Sequence, residues 1–195
     1  MGEGAALKTF FTSDLHFGHA NVIDYCKRPY DSVARMNEAI VVRFNWLVSP
    51  KDLCWFLGDL TLGHHADLIP WITRMNGRKI LVKGNHDKFT DAQYYAMGFE
   101  NVLHEAVIQV GKRRLRLSHY PRRPRWYESL FKPKHHYRYL ERRPPDDGMW
   151  LLHGHQHSKV AMCARRKAYD VGVDANLYWP VDLQRIISAI NKVEA

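Results

Sequence analysis

Five polar clusters punctuate this chain, each following an apolar run: Asp14-x-His16, Gly58-Asp59, Gly84-Asn85-His86-Asp87, Ser118-His119 and Gly154-His155-Gln156-His157. They offer carboxylate, amide and imidazole donors and no thiolate. Such a set suits borderline divalent ions, with Mn²⁺ favoured and Fe²⁺, Zn²⁺, Ni²⁺ or Co²⁺ acceptable. Residues two apart on an extended segment point the same way, so Asp14 with His16, and His155 with His157, are each expected to turn toward one site. The flanking glycines let the backbone turn tightly and come close to a metal. Two ions about 3.5–4 Å apart can share a water and lower its pKa toward neutrality.

The elements that must carry these clusters are legible from pattern. Leu7 to Thr12, Leu53 to Leu57 and Lys79 to Val82 read as short apolar strands, the last two running into Gly58-Asp59 and Gly84-Asn85. Ser32 is a plausible cap for a helix through about Val48, with Met36, Ile40, Phe44 and Leu47 on one face. A helix from about Ala66 to Met75 ends at Asn76-Gly77, and Asp91 to Met97 reads as a short helix. Val102 to Leu117 alternates around Gly111-Lys112 and predicts a β-hairpin. Met149 to Leu152 and Ala168 to Val173 are later strands, and Asp182 caps a final helix through about Asn191. Alternating strands and helices thus precede a β-rich half. The polar clusters sit at strand ends, where open α/β sheets place ligands.

The bulk composition is that of a single globular domain of 195 residues, long enough to bury roughly 70% of its unfolded surface. Cys26, Cys54 and Cys163 are too few and too scattered for a disulfide framework or a thiolate zinc site. The start, MGEGAALKTFF, does not read as a signal peptide, and no apolar run approaches the roughly 20 residues of a membrane span. A cytoplasmic protein without membrane contact is expected. The net charge of +9 is concentrated: residues 112–143 hold twelve Lys and Arg against Glu128 and Glu141, leaving seventeen basic and eighteen acidic residues elsewhere. A local basic excess points to a polyanionic partner more strongly than a diffuse one does.

The series D-x-H, GD, GNHD, H and GHxH, in this order, resembles the calcineurin-like metallophosphoesterase superfamily from about Lys8 to Val181. DLHFGHANVIDYCKRP at 14–29 and DVGVDANLYWPVDL at 170–183 resemble its small bacterial and phage-type branch. The resemblance implies an α/β fold, a four-layer αββα sandwich of two mixed β-sheets, as one domain over 1–195 with a basic aromatic insertion at about 120–147. It implies two divalent metal ions, one held by Asp14, His16 and His157, the other by Asn85, His119 and His155, with Asp59 bridging them. His86 would stand beside the substrate phosphate as general acid or stabiliser, with Asp87 as a candidate to orient it. The expected reaction is hydrolysis of a phosphoester by in-line attack of a hydroxide shared by the ions. GDLTLG lacks the further Asp of the protein serine/threonine phosphatase branch, which argues against a phosphoprotein substrate.

Other residues remain open between two roles. His19 could contact substrate or pack its loop. His64 and His65 read as solvated, His153 as a buried support for the GHQH turn, and Asp174 either as a support for the site or as a turn aspartate. Tyr120, Arg122 and Arg123 follow ligand His119 and are candidate phosphate contacts. Beyond them, Arg and Lys interleave with Trp126, Tyr127, Phe131, Tyr137 and Tyr139, either as a nucleic-acid surface or as a solvated basic flap. The favoured substrate is a phosphodiester of a nucleotide, cyclic nucleotide or single-stranded nucleic acid. The alternatives are a phosphomonoesterase on small metabolites and a non-catalytic nucleic-acid-binding module.

Overall fold

A computed structural model describes residues 6–124 and 138–195. Two five-stranded mixed sheets form the frame. In the first, β1 (Thr9–Thr12), β2 (Leu53–Phe56), β3 (Arg78–Val82) and β4 (Phe99–Leu103) run parallel, and β10 (Val181–Asp182) pairs antiparallel with β1. In the second, β5 (Glu105–Val110) and β6 (Arg113–Ser118) form an antiparallel hairpin. Parallel to β6 follow β7 (Trp150–His153) and β9 (Ala168–Asp170), and the short β8 (Met162–Cys163) closes the edge antiparallel to β9.

The first sheet is apolar on both faces, which is why its strands read as unbroken apolar runs. Phe10, Cys54, Phe56 and Leu81 meet Met36, Ile40 and Phe44 of α2 (Val33–Leu47), Leu68 and Ile72 of α3 (His65–Ile72) and Tyr94 of α4 (Asp91–Ala96). Phe11, Trp55, Leu57 and Val82 face the other way, onto Leu115, Leu117, Trp150, Leu152 and Tyr169 of the second sheet. The last helix, α5 (Leu183–Glu194), adds Ile186 and Ile190 to that second core. Two short 3₁₀ turns, Leu140–Arg142 and Ala164–Arg166, flank the strands of the second sheet in sequence. Among the described residues no helix is long and apolar enough to cross a membrane.

Several boundaries differ from the sequence reading: β9 ends at Asp170 rather than Val173, and α5 runs to Glu194 rather than about Asn191. The hairpin begins at Glu105, because Val102 and Leu103 pair with Leu81 and Val82 in the first sheet. Alternation encodes a strand but not its sheet, and the chain crosses between sheets at His104. The third helix ends at Ile72 rather than Met75, whose amide bonds the Ile72 carbonyl three residues back instead of continuing the four-residue helical pattern. A short helix, α1 (Asn21–Tyr25), had no sequence signal.

Candidate active site

The polar clusters converge because four loops at the strand ends are stitched to one another. The amides of Asp14, His16 and Phe17 donate to the carbonyls of Gly58, Asp59 and Leu60. The Asp87 carboxylate accepts from the amides of Asp59, Leu60 and Gly84 at 2.7, 3.0 and 2.8 Å. The His155 amide donates to the Asp14 carboxylate at 3.0 Å, and the Gly154 amide to the His119 carbonyl. Asp14, His16, Asp59, His155 and His157 all have positive φ, between 47° and 72°. This left-handed backbone costs on the order of 1–3 kcal/mol per residue and collects at functional sites. It also corrects the expectation of extended segments: left-handed turns aim these side chains inward, and His155 and His157 go to different groups.

One group is Asp14, His16 and His157, with donor atoms all within 4.8 Å of one another, and the other contains Asp59, His119 and His155 on the same measure. In the second group His119 Nε2 lies 3.1 Å from His155 Nδ1, 3.2 Å from the Asn85 amide oxygen and 3.4 Å from Asp59 Oδ2. The same Asp59 oxygen stands 3.8 Å from His16 Nε2, between the two groups. All seven expected ligands are thus gathered, with Asp59 at the junction.

The residues fit divalent-metal coordination. Both ring nitrogens of His16 are buried without a hydrogen-bond partner, a costly arrangement that coordination would relieve. His119 Nδ1 donates to the Leu57 carbonyl at 2.7 Å, which leaves Nε2 to face the group. His157 Nδ1 donates to Asp174 at 2.8 Å, so its Nε2 turns toward Asp14, 4.0 Å away. Two carboxylates, four imidazoles and one amide oxygen make a balanced nitrogen–oxygen set.

Charge is strongly coupled here. Burial opposes ionisation of Asp59, but His119 and His16 hold its carboxyl well below the usual range. Burial likewise opposes a charge on His119, yet Asp59 pushes it up to about 9. His157 rises to about 11 against the effect of burial, through its bond to Asp174. Burial, then the neighbouring His119, carries His155 down to about 3, and burial lowers both His16 and His86. His119 and His157 therefore hold protons that a metal must displace.

His86 is half-buried, with Nε2 4.0 Å from Asp59 Oδ2 and its ring edge-on to His16 at 5.7 Å. Its amide donates to Asp59 Oδ1. Asp87 does not orient it: the Asp87 carboxylate is spent on three amides, which makes it a clasp between loops. His19 borders the centre, its ring 5.8 Å from that of His16. Tyr120 is buried against His119 and His155, ring centroids 5.0 and 5.3 Å apart. Arg122 is not a substrate contact. Its guanidinium is buried on the carbonyls of Arg166, Pro145 and Met149 and on Asp147. Arg123 is exposed and bonded to the carbonyl of Arg143, with nothing that aims it at the centre. Arg125, Trp126, Tyr127, Phe131 and Tyr137 lie outside the described residues.

Three contributors escaped the sequence reading or were left open by it. Asp174 supports the site, bonded to His157 and ion-paired with Arg28 at 2.8 Å, both side chains essentially inaccessible. Arg28, which the sequence reading assigns no role, also donates to the carbonyls of Asp14 and Leu15. Tyr139, known only as part of the basic segment, sits 5.9 Å from the His155 ring. Cys26 offers a sulfur within 4.8 Å of His157 and Asp174, but Arg28 and Lys159 already meet that carboxylate and oppose a cation there. His153 is buried and bonded through Nδ1 to the Gly154 carbonyl, as its supporting role requires. His64 is exposed, whereas His65 is half-buried against Phe89.

Fold and site define an α/β protein of two packed sheets with two adjoining groups of candidate carboxylate and histidine metal ligands at its strand ends. No family model matches the chain. It is 31% identical over 192 residues to the uncharacterized protein MJ1445 of Methanocaldococcus jannaschii, covering 95% of this chain and 92% of that one. It is 32% identical over 191 residues to the gene 66 protein of Mycobacterium phage L5, covering 86% of each. The chain belongs to the family of these two proteins. Among solved structures, the protein of unknown function AQ665 from Aquifex aeolicus superposes with a TM-score of 0.73 at 26% identity, over 94% of this chain and 100% of that chain. Overlays on the E. coli phosphoesterase YfcE and on an archaeal phosphodiesterase reach a TM-score of 0.43, at 20% and 12% identity, too loose to transfer either activity.

Proposed function

We propose that this chain is a dinuclear-metal phosphoesterase of the calcineurin-like type, acting by preference on phosphodiesters of nucleotides or nucleic acid. The observation that carries the proposal is the place of Asp59 Oδ2, 3.4 Å from His119 Nε2, 3.8 Å from His16 Nε2 and 4.0 Å from His86 Nε2. One carboxylate oxygen thus touches both candidate metal groups and the candidate acid. Bound there, two ions of the Mn²⁺ kind would supply Lewis-acid stabilisation of the phosphoryl oxygens and an acidified water.

The chain's own residues do the rest. Asp14, Asp59 and Asn85 supply oxygens, and His16, His119, His155 and His157 nitrogens, with His119 held by the Leu57 carbonyl and His157 by Asp174. His86, the half-exposed ring beside them, gives its proton to the leaving oxygen. Burial lowers its pKa, which makes its imidazolium the stronger acid while leaving less of it protonated at neutral pH. Tyr139, partly exposed and backed by the buried Tyr120 at 5.6 Å, presents an aromatic face beside His155, and the Arg142 guanidinium lies 5.9 Å over it. An aromatic wall with a cation suits a diester whose second substituent is a nucleoside. The free thiols of Cys26, Cys54 and Cys163 suit work in the reducing cytoplasm.

The test is hydrolysis of bis-p-nitrophenyl phosphate and p-nitrophenyl phosphate after chelation, with Mn²⁺, Ni²⁺, Co²⁺, Zn²⁺ or Mg²⁺ restored singly. We expect metal-restored turnover favouring the diester, abolished in Asp59→Asn. Preference for the monoester would transfer the site to metabolite phosphomonoesters, and silence with every ion would sink the enzymatic reading.

A further inference from the structure

The turn that follows ligand His16 carries a histidine whose ring forms no hydrogen bond within the protein. Besides His157 at 5.0 Å, the His16 ring has His86 at 5.7 Å and His19 at 5.8 Å beside it, centroid to centroid. His19 therefore stands as close to this member of the first metal group as the candidate acid does. Among the described residues neither ring nitrogen of His19 has a hydrogen-bond partner, and Nδ1 is also shut off from water. A half-buried imidazole beside charged groups is an expensive place for unused polar atoms.

The turn is fixed without that side chain. Phe17 anchors it, 1% exposed and stacked on Trp71 at 5.9 Å. Its amide donates to the Leu60 carbonyl at 2.8 Å, and its carbonyl accepts from Thr61 Oγ1 at 2.7 Å. Gly18, at φ +77°, makes the bend and donates its amide to Asn37 of α2. The His19 amide closes back on the His16 carbonyl at 3.1 Å. Helix α1 starts from Ala20 with no side-chain cap, so the His19 ring does not cap it either. Backbone bonds to a metal ligand thus hold the ring in place and leave its nitrogens unspent.

One of those nitrogens is a donor whatever the charge of the ring. Buried N–H groups without an acceptor are rarer than under-satisfied acceptors. The inaccessible Nδ1 is therefore the bare nitrogen of the neutral ring, and Nε2 carries the proton in the neutral and the cationic form alike.

We propose that His19 Nε2–H donates to a phosphoryl oxygen of the bound ester, which makes His19 a second catalytic histidine beside His86. This deepens the phosphoesterase reading and rests on it for the substrate. The group recognised is the phosphoryl oxyanion shared by mono- and diesters, not the nucleoside. A donor fixed by main-chain bonds needs little reorganisation as charge grows on that oxygen.

The test is calorimetric titration of gel-filtered, Mn²⁺-loaded protein with inorganic phosphate, beside kcat/KM for the two p-nitrophenyl esters. It is run on the wild type, H19N, H19Q and the exposed control H64Q. The Gln amide reaches the position of Nε2, whereas the shorter Asn amide reaches only that of Nδ1. H19N should bind phosphate about 10–100-fold more weakly and lose kcat/KM for both esters by the same order, the worth of a hydrogen bond to a charged group. H19Q should recover most of both losses and H64Q should match the wild type, with metal content and melting temperature unchanged throughout. Phosphate binding that is absent in the wild type, unchanged in H19N or equally weakened in H64Q would each overturn the proposal. Loss of metal from H19N would make His19 a support for the ligands instead, and a deficit confined to the diester would put the ring on the second substituent; either result overturns it. Phosphate binding that depends on His19, without turnover of any ester, would keep the contact and remove the phosphoesterase assignment, so the two failures are distinguishable.

Discussion

At the scale of the residue, His86 and Asp174 carry different burdens. His86 lends no ring atom to either metal group, so His86→Asn should keep the metal content and lose about 10²–10⁴-fold in turnover. Metal analysis alongside steady-state kinetics separates the two, and full activity would remove His86 from the chemistry. Asp174 works through His157, holding the ring by Nδ1 while pairing with the buried Arg28. Asp174→Asn should weaken metal binding about 10–100-fold. It also leaves Arg28 without its ion partner, at a cost of roughly 3–5 kcal/mol in the metal-free protein. Metal titration and thermal melts read these two effects; unchanged metal affinity would make Asp174 purely structural.

At the scale of the element, each ligand is delivered by a loop at a strand end, and the loops pack too closely for a side chain between them. A Cβ on Gly84 would lie 2.2 Å from Asp59 Oδ1, and one on Gly154 would lie 2.1 Å from Ser13 Oγ and 2.3 Å from Asp14 Oδ2. Gly84→Ala and Gly154→Ala should each abolish measurable turnover and lower metal affinity, whereas Gly63→Ala, whose nearest contact would be 3.4 Å, should have little effect. Comparable activity in all three would mean that the loops have slack. The starts of α2, α4 and α5 were the most legible features because their caps are local. Ser32 accepts from the Arg35 amide, Asp182 from the Gln184 amide, and Thr90 closes a capping box with Gln93. The passage from β4 to β5 was illegible, since choosing between two sheets depends on partners distant in the chain.

At the scale of the molecule, the cage couples folding, protons and metal. Without metal, His119 and His157 titrate near 9 and 11 in the folded chain against an ordinary 6.5. Groups raised in this way contribute stability that is complete below about pH 6.5 and lost as the pH climbs through the folded values. Asp170 and Asp87, raised by burial to about 7 and 6, remove stability at lower pH, so the interval from pH 7 to 9 belongs to the histidines. Bound metal requires those protons to leave and therefore gains affinity over the same interval. The melting temperature of chelated protein should fall by several degrees from pH 7 to 9, at roughly 2–4 °C per kcal/mol. Saturating Mn²⁺ should remove or reverse the fall. Parallel declines with and without metal would show that the cage histidines do not hold the protons.

The clusters after apolar runs were legible as candidate donors in the sequence, and the fold brings Asp14, His16, Asp59, Asn85, His119, His155 and His157 together. Their grouping was implied by family resemblance, and the fold provides its physical basis. Local pattern shows that Asp14, His16, His155 and His157 are donors, but not that left-handed turns aim them inward and send two neighbouring histidines to different partners. The sequence marked Arg122 and Asp87 as chemically suggestive, yet tertiary packing spends both on backbone carbonyls and amides. It also makes Arg28, which the sequence reading assigns no role, a buried partner of Asp174. Side-chain chemistry is written residue by residue, whereas burial and hydrogen-bond partners are set by segments more than a hundred residues apart, and those decide which polar groups remain available to act.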